Sequence, residues 1–190
     1  LFLNEARVTA QLDHPAIVPV YTLNSDSENG LHLAMKMIRG ETLKSYLDQV
    51  ATHYRLDGVK SYDENNALRF RLDTFLKVCD ALEYAHSRNV MHRDLKPSNI
   101  MIGEYHETYI MDWGIARRIR EPEGEENEKQ PLCGTPQYLA PEAIRGEACD
   151  QRADIFAMGA ILFEMVLLSP AFTGESVPAL MANIRKGNME

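Results

Sequence analysis

Val90 to Met101 reads VMHRDLKPSNIM, and Met111 to Gly114 follows with MDWG. Asp94, Lys96 and Asn99 set a carboxylate, an ammonium and an amide in one short polar loop between apolar flanks. Asp112 adds a second carboxylate 18 residues after the first. This set of groups matches what phosphoryl transfer demands. The reaction asks for little covalent chemistry from the protein and much positioning: a carboxylate to accept a hydroxyl proton, a cation opposite the phosphate charge, and oxygen ligands for magnesium. Magnesium prefers oxygen donors and keeps several waters, so one carboxylate and one amide suffice as its protein ligands.

Around that loop, 190 residues with 45% hydrophobic content can bury a substantial core in one large domain or a domain and a half. A net charge of −8 and a pI near 5.3 argue against a nucleic-acid binder, because phosphate backbones reward clustered Lys and Arg. Six His and three Cys show no metal-ligand spacing. Cys79, Cys133 and Cys149 read as reduced thiols of a cytoplasmic compartment, and nothing in the sequence marks Cys133 as activated. No signal peptide is expected. The apolar run from Ile155 to Leu168 is interrupted by Glu164 and too short for a bilayer, so no membrane contact is expected from this segment. A tether elsewhere in a longer protein stays open.

Periodicity places the other elements. Phe2, Val8 and Leu12 suggest a helix that Asp13-His14-Pro15 stops. Ile17 to Leu23 and Leu31 to Ile38 read as a strand pair around the turn chemistry of Ser25 to Gly30. Gly40 leads into a short helix, Glu41 to Ala51. Thr52 to Asn65 is read as a surface insertion without an assigned role. A helix over Ala67 to Ser87 carries Phe70, Leu72, Phe75, Leu76, Val78, Cys79, Leu82 and Ala85 on a broad apolar face. Ile100 to Ile102 and Thr108 to Met111 form a tight hairpin that returns Asp112 beside Asn99. Asp150 is the expected N-cap of a helix through Leu168, apolar over nearly its whole circumference and so expected to be buried on all sides. Val177 to Lys186 closes with an amphipathic helix.

HRDLKPSN, DWG and GTPQYLAPE (Gly134 to Glu142), in that order and spacing, resemble the catalytic loop, metal-binding motif and substrate-docking segment of eukaryotic-type Ser/Thr protein kinases, with wording similar to bacterial members. The resemblance covers essentially the whole chain. It implies an α+β, two-lobe kinase fold. Residues 1–38 would be part of a small lobe (C helix, two strands, hinge), and 39–190 a mostly helical large lobe lacking its last helices. It further implies that Asp94 is the catalytic base, that Lys96 steadies the transferring phosphate, and that Asn99 and Asp112 hold Mg2+. Thr135 would bond Asp94 and Lys96, a feature that goes with Ser/Thr substrates.

For ATP, the resemblance implies that Glu5 pairs with a strand lysine gripping the phosphates, that Met35 is the gatekeeper, that Lys36 to Ile38 form the hinge at adenine, and that Met101 lies under the base. His92 would be structural, Asp154 would anchor the catalytic loop, and Trp113 takes the place of the usual Phe. The implied partners are ATP, Mg2+ and protein substrates.

Arg93 in such proteins faces a phosphorylated residue, yet Gly114 to Gly134 contains no Ser, Thr or Tyr. Glu121, Glu123, Glu125, Glu126 and Glu128 are the expected substitutes, weighed against a merely solvated acidic loop. Two other function classes stand beside the kinase: a non-catalytic scaffold of the same fold, and a small-molecule phosphotransferase, which has no need of GTPQYLAPE. The glycine-rich loop and strand lysine expected before Glu5 are not in the sequence, nor is the arginine that normally meets Glu142. The 190-residue chain alone is therefore expected to transfer little phosphate. Oligomeric state and substrate identity are not legible.

Overall fold

The computed structural model describes residues 2–26, 30–57, 68–119 and 132–189, with the side chains of residues 2–5, 25–26, 30–31 and 57 outside that description. Helix α1 (Phe2–Thr9) and the antiparallel pair β1 (Val20–Asp26) and β2 (Gly30–Met35) form the first part. Strand β3 (Gly40–Thr42) and helix α2 (Leu43–Asp57) follow. Helix α3 (Leu68–Ser87), strand β4 (Val90–Met91), strand β5 (Ile100–Gly103) and strand β6 (Thr108–Ile110) then surround the catalytic loop. Strand β7 (Arg117–Arg118), the short helix α4 (Pro141–Ile144) and helices α5 (Arg152–Leu167) and α6 (Val177–Lys186) complete the described elements. Mixed helices and small sheets make this an α+β fold, the class expected from the sequence. Among the described residues, no helix is long and apolar enough to cross a membrane.

Several expected boundaries move, each for a physical reason. The helix expected from Glu41 begins at Leu43, because Gly40, Glu41 and Thr42 pair with Gly103, Ile102 and Met101 as an edge strand. Gly40, at φ 148°, is required there: a Cβ would fall 2.0 Å from the Ile102 carbonyl oxygen. That same helix runs on to Asp57, so Thr52 to Asp57 are helical and not part of a surface loop. The remainder of the expected insertion, 58–65, lies outside the described residues, as do the five glutamates between 121 and 128. Pairing of β4 with β7 was invisible in the sequence, since each strand is two residues long.

Core formation explains why a polar loop holds a fixed shape. Val90, Met91, Leu95 and Ile100 are buried between the polar positions, so the loop is pinned at intervals by side chains each worth about 1.5–3 kcal/mol on transfer from water. Helix α3 buries Arg71, Thr74, Val78, Ala81, Leu82 and Ala85, a 3.6-residue stripe packed against α5. Leu76, expected on that face, is 58% exposed because it projects away from the stripe. Arg71 donates its guanidinium to the Met165 carbonyl in the last turn of α5, where the helix dipole favours a cation.

Helix α5 departs from the sequence reading in two ways. It starts at Arg152, with Asp150 accepting the Arg152 amide at 2.9 Å from just outside the helix. It is also not buried all round: Ile155, Val166 and Leu167 are 57%, 42% and 56% exposed. The described elements cover only the side that faces α3 and the core.

Trp113 is the largest fully buried side chain, and its indole Nε1 has no partner among the described residues. An orphan donor of this kind costs about 1–3 kcal/mol. Trp113→Phe, which removes the orphan with modest loss of volume, should leave the unfolding free energy from urea titration within about 1 kcal/mol of the parent, whereas Trp113→Ala should cost about 3–5 kcal/mol. Equal losses in the two variants would refute this account of the pocket.

Candidate active site

The catalytic loop is fixed from beneath by one acid. Asp154, in the first turn of α5 and only 1% exposed, accepts the His92 amide on Oδ2 at 2.8 Å and the Arg93 amide on Oδ1 at 2.9 Å. His86 Nε2, from α3, lies 2.8 Å from the same Oδ2. A buried carboxylate is costly without partners, and here both oxygens are engaged. Arg93 can then take φ 72°, a left-handed conformation unusual for a side chain of that size. The turn aims the loop away from α5.

Beyond the turn, four of the residues singled out in the sequence form one cluster. Thr135 donates both its amide and its hydroxyl to Asp94 Oδ1, each at 2.8 Å. Lys96 Nζ donates to Asp94 Oδ2 at 2.7 Å and to Thr135 Oγ1 at 2.8 Å. Asn99 Nδ2 donates to the Asp94 carbonyl at 2.9 Å. A carboxylate, an ammonium and a hydroxyl thus close a ring. Two segments 39 residues apart in sequence meet there, brought together by the close approach of Gly134. At φ 111°, a Cβ on that residue would lie 2.8 Å from the Arg93 carbonyl oxygen.

Asp112 reaches the same neighbourhood through the backbone. Met111 donates its amide to the Asn99 carbonyl at 2.8 Å, and Ile110, one residue earlier, pairs with Ile100 in the hairpin. Asp112 itself sits at φ 61° with an exposed carboxylate, one oxygen of which accepts the Gly114 amide at 3.3 Å. Asn99 directs its amide nitrogen to the loop, leaving its oxygen for an outside ligand. One free amide oxygen and one exposed carboxylate are donors of the hard-oxygen kind that suits magnesium.

His92 is fully buried between these groups. Its Nδ1 accepts the Asp94 amide at 3.2 Å and its Nε2 donates to the Met111 carbonyl at 3.0 Å, which assigns a neutral ring protonated on Nε2. Burial pushes its pKa below the usual imidazole value, opposed in part by the carboxylates of Asp154, Asp94 and Asp112. The ring centroid lies 4.6 Å from that of Trp113, so His92 joins the loop to the aromatic after Asp112.

The residues singled out for nucleotide contact lie on β2, on the chain that follows it and on β5. Met35 ends β2, and Lys36 to Ile38 follow as irregular chain, with the Lys36 amide bonded to the Pro19 carbonyl at 2.9 Å. The Lys36 ammonium donates to the Tyr109 hydroxyl on β6. Met101, half-buried in the middle strand of the sheet formed by β3, β5 and β6, is the cross-strand neighbour of that same tyrosine. The side chain of Glu5 lies outside the described residues.

Sequence reasoning overlooked one buried pair beside the site. Glu164, inside the apolar stretch of α5, accepts the Tyr138 hydroxyl at 2.6 Å, with Lys44 of α2 at 3.8 Å from its other oxygen. Burial, then the adjacent glutamate, pushes the Tyr138 hydroxyl far above the usual phenol value. The available signal was an acid in an otherwise apolar helix, which calls for a partner.

A family profile described as "Protein kinase domain" matches residues 1–189. Among curated proteins, the chain is 40% identical over 184 residues to the serine/threonine-protein kinase PknD of Chlamydia caviae, covering 88% of this chain and 19% of that protein. It is 34% identical over 200 residues to the PknD of Protochlamydia amoebophila, covering 97% of this chain and 20% of the relative. The chain spans about one fifth of the length of these relatives.

Because the His92 pKa is lowered in the fold, the unfolded chain binds the extra proton more readily below the usual value of 6.5. The stability contributed by the neutral ring is complete above that value and is lost as pH falls toward the folded-state pKa. Urea unfolding between pH 8 and pH 5 should therefore show stability falling below about pH 6.5. The fall should be shallower in His92→Gln, and identical slopes would show that another group titrates.

Proposed function

This chain belongs to the protein kinase family, and from that membership we propose that the full-length protein transfers the γ-phosphoryl group of ATP to Ser and Thr hydroxyls of protein substrates. In this reading residues 1–38 contribute to the small lobe and 39–190 to the large one. The observation that carries it is the closed ring of Asp94, Lys96 and Thr135, because phosphoryl transfer relies on groups held in place before the reaction begins.

Each residue has a part. Asp94 accepts the proton of the attacking hydroxyl, its carboxylate oriented by the two Thr135 bonds. Lys96 sits against both and offers its charge to the phosphoryl oxygens as they pass. Asn99 and Asp112 would hold magnesium, which when bound neutralises phosphate charge. Met35 stands at the gatekeeper position, the backbone of Lys36 to Ile38 meets adenine, Met101 lies beneath the base, and Glu5 pairs with a lysine that grips the phosphates. The names of the PknD relatives support Ser/Thr over Tyr as acceptor, as does a threonine at position 135 bonded to the base.

Radiolabel transfer by the full-length protein tests this reading. Asp94→Asn should lower the rate by about 10²–10⁴-fold while thermal unfolding changes little. Thr135→Ser should retain most activity and Thr135→Ala should lose it. Transfer undiminished in Asp94→Asn would overturn the assignment.

A further inference from the structure

Away from the ring, a small cavity opens beside Arg93. Its volume, about 30 Å³, admits water, and its walls include Arg93, Cys133, Cys149, Tyr138 and Leu139. Both thiols are free and half-buried. The short helix α4 lies between them in sequence, and the segment before Gly134 and the loop before α5 both line this space. We propose that Cys133 and Cys149 are a redox pair, a dithiol that a peroxide converts to a disulfide across this cavity and that a dithiol reductant reopens.

Both side chains border this one cavity. Disulfide formation needs Cα atoms within about 7 Å, and the yield of linked peptide measures that approach. At Cys149 burial, then Glu142, raises the thiol, with the Arg93 guanidinium opposing. In the proposed sequence Cys133 reacts first. Its thiolate attacks one peroxide oxygen, the O–O bond breaks, and the departing hydroxide takes up the proton released when the thiolate formed, leaving a sulfenic acid and water. The Cys149 sulfur then attacks the Cys133 sulfur and displaces hydroxide, which leaves as water with the remaining thiol proton. Two thiols and one peroxide give one disulfide and two waters.

Location makes the bond consequential. Cys133 directly precedes Gly134, which packs on the Arg93 carbonyl, and lies two residues from Thr135, which holds Asp94. Cys149 is on the approach to α5, whose Asp154 holds the other side of the same loop. The pairing does not depend on the phosphotransfer reading, since thiols can be counted whether or not phosphate moves. Cys79 serves as an internal control: it lines a separate groove between α3 and α5 with Phe75, His86 and Ile155, where there is no second cysteine.

The test is thiol mapping on the folded chain. After brief treatment with hydrogen peroxide, free thiols are blocked with N-ethylmaleimide in denaturant, and the peptides are identified by mass spectrometry. A Cys133–Cys149 linked peptide is expected at about tenfold or more the yield of any link to Cys79, because folding raises the effective concentration of the pair. It should disappear on treatment with dithiothreitol and fall to the level of the other links when the peroxide step is run in urea. Separate oxidation of the two cysteines without a link, or equal linking to Cys79, would overturn the proposal. Since the measurement uses the unsubstituted chain, it does not depend on a variant folding.

Discussion

Asp154 is a carboxylate withdrawn almost completely from water, and the shape of the catalytic loop depends on how that carboxylate is satisfied. Two consecutive amides, of His92 and Arg93, and the ring of His86 supply its hydrogen bonds. Consecutive amides can converge on one carboxylate only if the backbone turns sharply, and Arg93 makes the turn with a positive φ. A left-handed non-glycine residue costs of order 1–3 kcal/mol. Charge-assisted hydrogen bonds to a buried acid offset that cost and select the bend over its alternatives. The side chains after the bend then emerge in a fixed order: Asp94 toward Thr135, Leu95 into the core, and Lys96 back across Asp94.

His92 extends this constraint to the second carboxylate. Its ring accepts from the loop on one nitrogen and donates to the residue before Asp112 on the other, so its tautomer is set by neighbours on both sides. Only the neutral ring serves both bonds, which is consistent with a pKa driven down by burial. Trp113 packs against the ring and fills the core below. An aromatic larger than Phe at this position adds apolar contact, at the expense of one indole donor without a partner among the described residues.

Two buried charges inside the helical portion are stabilised by different means. Glu164 finds a phenol and a lysine at the edge of the site. Arg71 finds no described acid and instead uses the carbonyl end of α5. Both connect α5 to other elements, the tyrosine to the segment that carries Thr135 and the arginine to α3. Helix α5 is therefore the element on which the catalytic loop, the docking segment and the longest helix all converge.

Local chemistry made much of this legible from the letters alone. HRDLKPSN, DWG and GTPQYLAPE identified the family because those groups are needed together at fixed spacing, and apolar periodicity placed α3, the β5–β6 hairpin and α6 to within a residue or two. What the letters could not convey were relations set by packing between distant segments. Edge pairing turned Gly40 to Thr42 into a strand, helical continuation absorbed Thr52 to Asp57, and a backbone turn brought Gly134 against Arg93. The partner of Glu164, the placement of Cys133 and Cys149 on one cavity, and the exposed side of α5 belong to the same class. Hydrogen-bonding type and apolar periodicity are properties of neighbouring residues, so a sequence determines them. Which buried group meets which is settled only when the whole chain closes around its core.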